Sequence, residues 1–467
     1  MKMDELKGKK VTVMGLGLHG GGVGTVKFLS SLGARVVVTD MKSEKELAKS
    51  LAELVDLENV VFVLGKHRPE DFLETEMVIK NPAVSWDNQY VKLALEKNIP
   101  VEMDSSLFFH LCKNKIIGVT GTKGKTTTAS LISAILETAE KEVVKVGVSQ
   151  VSVLDKLRNL KTDALVVFEL SSWRLSALGR AKISPWISVI TNFYPDHLNY
   201  YGSMEKYIAD KENIFLFQNK ADFCVINIDN ALVEKSRGKI PSQIVEFSQT
   251  EIFSPNGAFV RGDKFFLKKE GREEAVLDFS EVSLRGEHNR ANILAAITVS
   301  GLMNIKREDI RKGIMDFPGI PHRLELVGKF SGVAYYNDSA ATTPESAISG
   351  IQSFPETLVL ICGGANKNLD VSGLVEEIAR NKNIKSMVFL AGESTERIVE
   401  ELQKRTGKER TDFTVVNSMA EAVGFAKEVA RDGDVVLLSP GAASFGIFKN
   451  EFDRGDQFRE LVKSFRG

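Results

Sequence analysis

One stretch constrains this chain more than any other: Ile116-Ile117-Gly118-Val119 runs into Thr120-Gly121-Thr122-Lys123-Gly124-Lys125-Thr126-Thr127, and a helical pattern follows from Ala129 to Leu136. Strand, glycine loop, Lys-Thr and helix in that order form a phosphate cradle. Glycines let backbone N–H groups approach phosphate oxygens, and the helix N-terminus adds partial positive charge. Lys125 can reach β/γ oxygens there, and the Thr126 hydroxyl can ligate Mg²⁺. The strict Walker spacing would place glycine at position 119. Here Val119 stands there and Gly118 lies one residue early.

The same strand–loop–helix grammar recurs from end to end, which predicts an α/β fold with largely parallel sheets. At roughly 150 residues per domain, 467 residues suggest about three domains. The first third reads as a βαβ unit: Lys10 to Met14 as strand, Val23 to Leu32 as helix, Ala34 to Asp40 as strand. The polar stretch Cys112 to Lys115 marks a first boundary, and Pro318-Gly319-Ile320-Pro321 a second. The expected domains are therefore 1–112, 113–319 and 320–467. In the last, strands are expected at Val333 to Tyr336, Thr357 to Cys362, Met387 to Ala391 and Val435 to Leu438, with ligands at their loop ends.

Charge narrows the function. Lys plus Arg total 61 against 62 for Asp plus Glu, a net charge of -1, so no global positive field favours nucleic acid or an anionic bilayer. The longest charge-free run, Val11 to Val26, holds six glycines and a histidine and is too short and too polar to span a membrane. The acidic start lacks the apolar segment of a signal peptide. Cys112, Cys224 and Cys362 form no paired spacing, which predicts a reducing cytoplasm and no structural zinc.

A second glycine loop, Gly15-Leu16-Gly17-Leu18-His19-Gly20, has the GxGxxG form after a strand, with Asp40 ending the next one. That geometry serves NAD and equally any pyrophosphate plus ribose, including a uridine diphosphate group. Glu169, closing the apolar run from Ala164 and followed by Ser171 and Ser172, is placed to hold Mg²⁺. Asp196 and His197 emerge after the strand Ile187 to Thr191. With the phosphate loop they supply hard oxygens and an imidazole for a Mg²⁺–ATP site. Downstream, Asn289 and Asn292 share one helical face by their spacing, on a helix read from Ile293 to Gly301. Arg323 suits a γ-phosphate, and Asp338 a ribose hydroxyl.

In order, Thr-Gly-Thr-Lys-Gly-Lys-Thr-Thr, Glu-Leu-Ser-Ser, Asn-x-x-x-Asp-His, Glu-His-Asn-x-x-Asn, Pro-His-Arg and Asn-Asp-Ser-x-Ala-Thr run from residue 120 to 342. Together they resemble the Mur ligase family, ATP-dependent amide-forming enzymes of peptidoglycan synthesis. With the first glycine loop and Ser439-Pro440-Gly441-Ala442-Ala443-Ser444-Phe445, the likeness covers nearly the whole chain. It implies three domains: a Rossmann-like N-terminal domain for a UDP-linked substrate, a central P-loop ATPase domain, and a Rossmann-like C-terminal domain for an amino acid. Pro-His-Arg and Ser-Pro-x-x-x-Ser-Phe point to the branch that adds D-glutamate to UDP-N-acetylmuramoyl-L-alanine.

The resemblance further implies roles. Gly121, Thr122, Lys123, Gly124, Lys125, Thr126 and Thr127 would bind ATP, completed by Asn289, Asn292, Arg323 and Asp338 from two domains. Two Mg²⁺ ions would be held by Thr126, Glu169, His197 and Lys211. Lys211 lies in the Tyr207-x-x-x-Lys211 step, where the family carries a carbamylated lysine. Lys125, Glu169, His197 and Lys211 form the implied catalytic set. Gly15, Leu16, Gly17, Leu18, His19, Asp40, Gln150 and Ser171 would meet the UDP substrate. Thr342, Lys367 and Ser444 would meet D-glutamate. The implied partners are small molecules alone, with no nucleic acid and no membrane span, and a monomer is expected.

Three positions depart from the pattern. Ala340 replaces a lysine in Asn-Asp-Ser-Lys-Ala-Thr, Ser149-Gln150-Val151-Ser152 replaces Gly-Asn-Ile-Gly, and Glu451-Phe452 reverses a Phe-Glu order. These leave the ATPase reading intact and bear on amino-acid selection. Three alternatives remain: a sister ligase adding another amino acid, a regulatory ATP-binding switch without ligase chemistry, and an NAD-dependent oxidoreductase built on the first glycine loop, which leaves the Lys125 loop unexplained.

Overall fold

The β-branched runs form three sheets. In the computed structural model, which describes residues 1–18, 20–148, 152–406 and 412–466, the strands Lys10–Met14, Arg35–Asp40, Val60–Leu64, Met77–Lys80 and Val101–Glu102 make an all-parallel sheet of five. Its order, third-second-first-fourth-fifth, reverses beside the first strand, so the loop after Met14 opens at the switch point where α/β sheets bind ligands.

The second sheet has nine strands and places Ile116–Thr120 in its interior, between Ile187–Ile190 and Leu165–Glu169. All five residues of Ile116–Thr120 are buried, as expected for a parallel strand covered on both faces. Phe223–Asn227, Gln243–Ser248 and Gly257–Arg261 continue the parallel order, and Lys264–Lys269 and Arg272–Asp278 add an antiparallel edge absent from the sequence reading. One apolar cluster joins these first two sheets: Val26 and Phe28 of the helix Gly21–Ser31 share it with Leu154, Phe168 and Phe215.

The third sheet orders Glu325–Phe330, Val333–Asn337, Val435–Leu438, Leu358–Cys362, Ile384–Leu390 and Phe413–Val416, parallel except for the first. Alternation sends Val359 and Ile361 into one core and Leu358, Leu360 and Cys362 into the other, so helices cover both faces. The chain divides into two compact units, Met1–Phe279 with Ala291–Ile314, and Ser280–Arg290 with Met315–Gly467.

Three helices begin earlier than their apolar periodicity suggested. The helix read from Val23 starts at Gly21, that from Ala129 at Lys125, and that from Ile293 at His288. Among the described residues no helix is long and apolar enough to cross a membrane.

Candidate active site

In the first unit, Gly124 caps the fourteen-residue helix Lys125–Thr138 with φ 85° and without a side-chain cap, leaving its first N–H groups for an external acceptor. Only glycine fits, because a Cβ there would also collide with the Asn292 amide. Asn292 Oδ1 in turn accepts from Thr128 Oγ1 at 3.2 Å, so this residue buttresses the loop.

The segment after Ile190 fixes the loop from the other side. Thr122 N donates to Asn192 O (2.8 Å), Lys123 N to Asn192 Oδ1 (2.9 Å), Thr191 Oγ1 to Lys123 O (2.6 Å) and Tyr194 N to Thr122 Oγ1 (2.9 Å). Sequence reasoning missed Thr191 as a scaffold residue, and it saw Asn192 only as the start of a motif. Lys125 Nζ folds onto its own loop, donating to Gly121 O (3.1 Å) and Thr122 O (3.0 Å).

Lys211, on the helix Met204–Glu212, reaches the same loop. It is 1% exposed, donates to Gly121 O at 2.8 Å, and lies 4.8 Å from the Tyr207 ring centre. Burial, reinforced by the Lys125 charge, pushes its ammonium well below the usual lysine range, although Asp196, Glu169 and Asp210 oppose this. The amine is thus driven toward its neutral, nucleophilic form.

Glu169 ends the strand Leu165–Glu169, and its Oε2 is buried with no hydrogen-bond partner. An orphaned carboxylate oxygen of this kind fits a divalent cation, which prefers hard oxygen donors. Among the described residues no three His, Cys, Asp or Glu side chains converge, so a cation at Glu169 needs other donors such as the Thr126 hydroxyl. His197 has φ 53° and stands 3.8 Å from Asp196 Oδ1 and 4.7 Å from the Trp173 ring centre. Asp196 also pairs with Lys123 at 3.6 Å.

At the first glycine loop, Asp40 is 7% exposed. Its Oδ2 accepts from Gly17 N (3.2 Å) and its Oδ1 from Lys42 N (2.9 Å), so it holds the loop in shape. The Leu16 side chain is fully buried and Leu18 is exposed, so at Leu16 only the backbone faces outward. Ser171 caps the helix Ser172–Ala181 through Arg174 N. His19 and Gln150 lie outside the described residues.

In the second unit, the loop ends of the third sheet gather Asp338, Thr342, Lys367 and Ser444. Asp338 is 7% exposed, accepts from Ser439 Oγ (2.8 Å) and Leu324 N (3.2 Å), and burial raises its carboxyl from 3.8 to about 7 despite these bonds and Arg323. The loops of Lys367 and Ser444 are tied by reciprocal bonds between Ala365 and Ala443, at 3.0 and 3.2 Å. Lys367 and Arg323 are exposed, whereas Ser444 is buried. Asn289 Nδ2 donates to Arg285 O at 2.6 Å.

The Asp338 environment carries a stability prediction. A carboxyl raised in the folded state contributes stability at acid pH, which is lost as pH rises from about 4 through about 7. Asp338→Asn cannot ionise. Its melting temperature should match the parent at about pH 4 and exceed it by about 5 °C at pH 8, read by calorimetry. Equal shifts at both pH values would contradict the assigned cause.

Comparison with known proteins agrees along the whole chain. Residues 9–102 match the Mur ligase MurD-like N-terminal domain, 119–300 the Mur ligase middle domain, and 322–441 the Mur ligase glutamate ligase domain. Proteins named UDP-N-acetylmuramoylalanine–D-glutamate ligase from Roseiflexus sp. and Clostridioides difficile are 40% and 35% identical. Each alignment covers 99% of this chain and 100% of the relative. Among solved structures, a UDP-N-acetylmuramate-alanine ligase from Thermotoga maritima superposes with TM-score 0.58 at 19% identity, covering 98% of this chain and 99% of the other. A UDP-N-acetylmuramoyl-L-alanyl-D-glutamate–2,6-diaminopimelate ligase gives 0.57 at 17% identity, covering 100% and 94%. These two share the fold. By its full-length relatives and its three matched domains, this chain belongs to the Mur ligase family.

Proposed function

We propose that this protein joins D-glutamate to UDP-N-acetylmuramoyl-L-alanine at the expense of ATP, an amide-forming step of peptidoglycan synthesis. The observation that carries the reading is the buttressed Lys125 loop within a chain whose full-length relatives bear that activity in their names. The alanyl carboxylate oxygen attacks the γ-phosphorus, the bond to the β-phosphate oxygen breaks, and ADP leaves. The free amine of D-glutamate then attacks the acyl carbon of the resulting acyl phosphate. An amide forms and phosphate departs.

Chain residues chiefly bind and orient in this scheme. The N–H groups from Thr122 to Thr127, with Lys125, take the triphosphate. Asn289, Asn292, Arg323 and Asp338 complete the nucleotide site, Asp338 being best suited to a ribose hydroxyl. Gly15, Leu16, Gly17, Leu18, His19, Asp40, Gln150 and Ser171 serve the UDP substrate, and Thr342, Lys367 and Ser444 the two carboxylates of D-glutamate. Thr126, Glu169, His197 and a carbamylated Lys211 would hold two Mg²⁺ ions, which neutralise phosphate charge when bound. Supporting the carbamate, the buried Lys211 amine is biased to the neutral form that attacks CO₂, forming an N–C bond and releasing a proton. The product supplies an anionic oxygen where an ammonium would repel a cation.

We assign the domains as 1–112, 113–319 and 320–467. The protein works as a monomer in the cytoplasm, where ATP and UDP-linked precursors are available. An assay of phosphate release against a panel of UDP-muramoyl acceptors and D- and L-amino acids tests the reading. Release should require both UDP-N-acetylmuramoyl-L-alanine and D-glutamate. Equal turnover with L-glutamate, or with either substrate omitted, would refute it.

A further inference from the structure

Arg454 is the largest fully buried side chain among the described residues, at 0% exposure, and no reaction step above uses it. It sits in the first turn of the helix Glu451–Lys463, on the same stripe as the buried Phe458 and Val462. Each of its three nitrogens donates to the loop ends of the third sheet. Nε donates to Ser339 Oγ (3.0 Å), Nη2 to Ser339 O (2.9 Å) and Nη1 to Ala442 O (3.2 Å). Ser339 Oγ in turn donates to Glu451 O at 2.7 Å. The helix can approach this closely because its next residue is Gly455, where a Cβ would collide with the His322 ring. Asn337 Nδ2 then donates to Gly455 O at 3.2 Å.

Two consequences follow from these contacts. Ser339 lies three residues before Thr342 and Ala442 two before Ser444, so one guanidinium fixes the spacing of two loops assigned to D-glutamate. The Ala365–Ala443 bridge ties in the third loop, which carries Lys367. Further, no carboxylate lies within ion-pair distance of Arg454 among the described residues, and burial lowers its guanidinium to about 10. Glu451, in the same helical turn, offsets part of this charge, but a buried cation whose hydrogen bonds go to carbonyls and a hydroxyl still favours an anion at that edge. Ala340 stands where the family pattern has lysine, and Arg454 lies beside that same segment.

We infer that Arg454 is a positioning residue for the amino-acid substrate, stapling the Ser339 and Ala442 loops and biasing the site electrostatically toward the D-glutamate carboxylates. The inference rests on the proposed function. Its test is the full kinetic split in Arg454→Met, Arg454→Lys and Ser339→Ala, each checked for folding by circular dichroism. In Arg454→Met, KM for D-glutamate should rise about tenfold or more, while KM for ATP and for the UDP acceptor stay within about twofold. Arg454→Lys, which keeps the charge and loses the fork, should rise by less. Should Arg454→Met fail to fold, Arg454→Lys and Ser339→Ala must still show the selective rise in D-glutamate KM. An unchanged D-glutamate KM in folded variants, or a parallel rise in all three KM values, overturns the inference. A parent enzyme inactive with D-glutamate would instead sink the proposed function.

Discussion

Replacing Lys125 with alanine should lower the rate of amide formation by about a hundredfold to a thousandfold, the usual effect of deleting one group that meets charge developing on transferred phosphate. The fold should survive, because the ammonium is spent on two carbonyls of its own loop, Gly121 and Thr122, rather than on the core. The loop itself is held by Asn192, Thr191 and Asn292. Steady-state phosphate release alongside thermal unfolding separates the two effects. A second consequence concerns Lys211. Lys125 is the main charge depressing the Lys211 ammonium, so its removal should shift Lys211 toward the protonated form and weaken any dependence on CO₂. Turnover within twofold of the parent would remove the loop from the chemistry.

Lys211→Ala should cost about as much, more than a hundredfold, because it deletes a buried lysine whose amine is biased toward its neutral form and donates to Gly121 O of the Lys125 loop at 2.8 Å. Two readouts besides rate separate a carbamate from a plain amine. The parent incubated with carbon-13 bicarbonate should show a carbamate carbonyl resonance that is absent in Lys211→Ala. Short carboxylic acids should restore part of the variant's activity by supplying the missing oxygen. A parent without the resonance, and indifferent to removal of CO₂, would leave Lys211 as a structural amine.

What could be read from the sequence, and what could not, divides along physical lines. Val435–Leu438 matched its sequence reading residue for residue because a buried parallel strand is apolar throughout. The helices starting at Gly21, Lys125 and His288 were placed several residues late. Their first turns carry glycine, lysine and asparagine instead of apolar periodicity. The antiparallel edge Lys264–Lys269 and Arg272–Asp278 went unread because its exposed charges mask the alternation. Within the site, each motif residue was visible but its support was not. Thr191 looks like a strand terminus until its hydroxyl is seen to hold Lys123 O. Arg454 did leave a trace: an arginine on the stripe it shares with Phe458 and Val462, where a surface helix would bury an apolar residue.

That triphosphate activates a carboxyl group for capture by an amine is tested most directly by following oxygen atoms. UDP-N-acetylmuramoyl-L-alanine carrying heavy oxygen in the alanyl carboxylate, turned over with ATP and D-glutamate, should release phosphate containing one labelled oxygen per amide formed. Phosphate free of label, while the amide still forms, would show that the carboxylate never attacked the γ-phosphorus and would contradict the account.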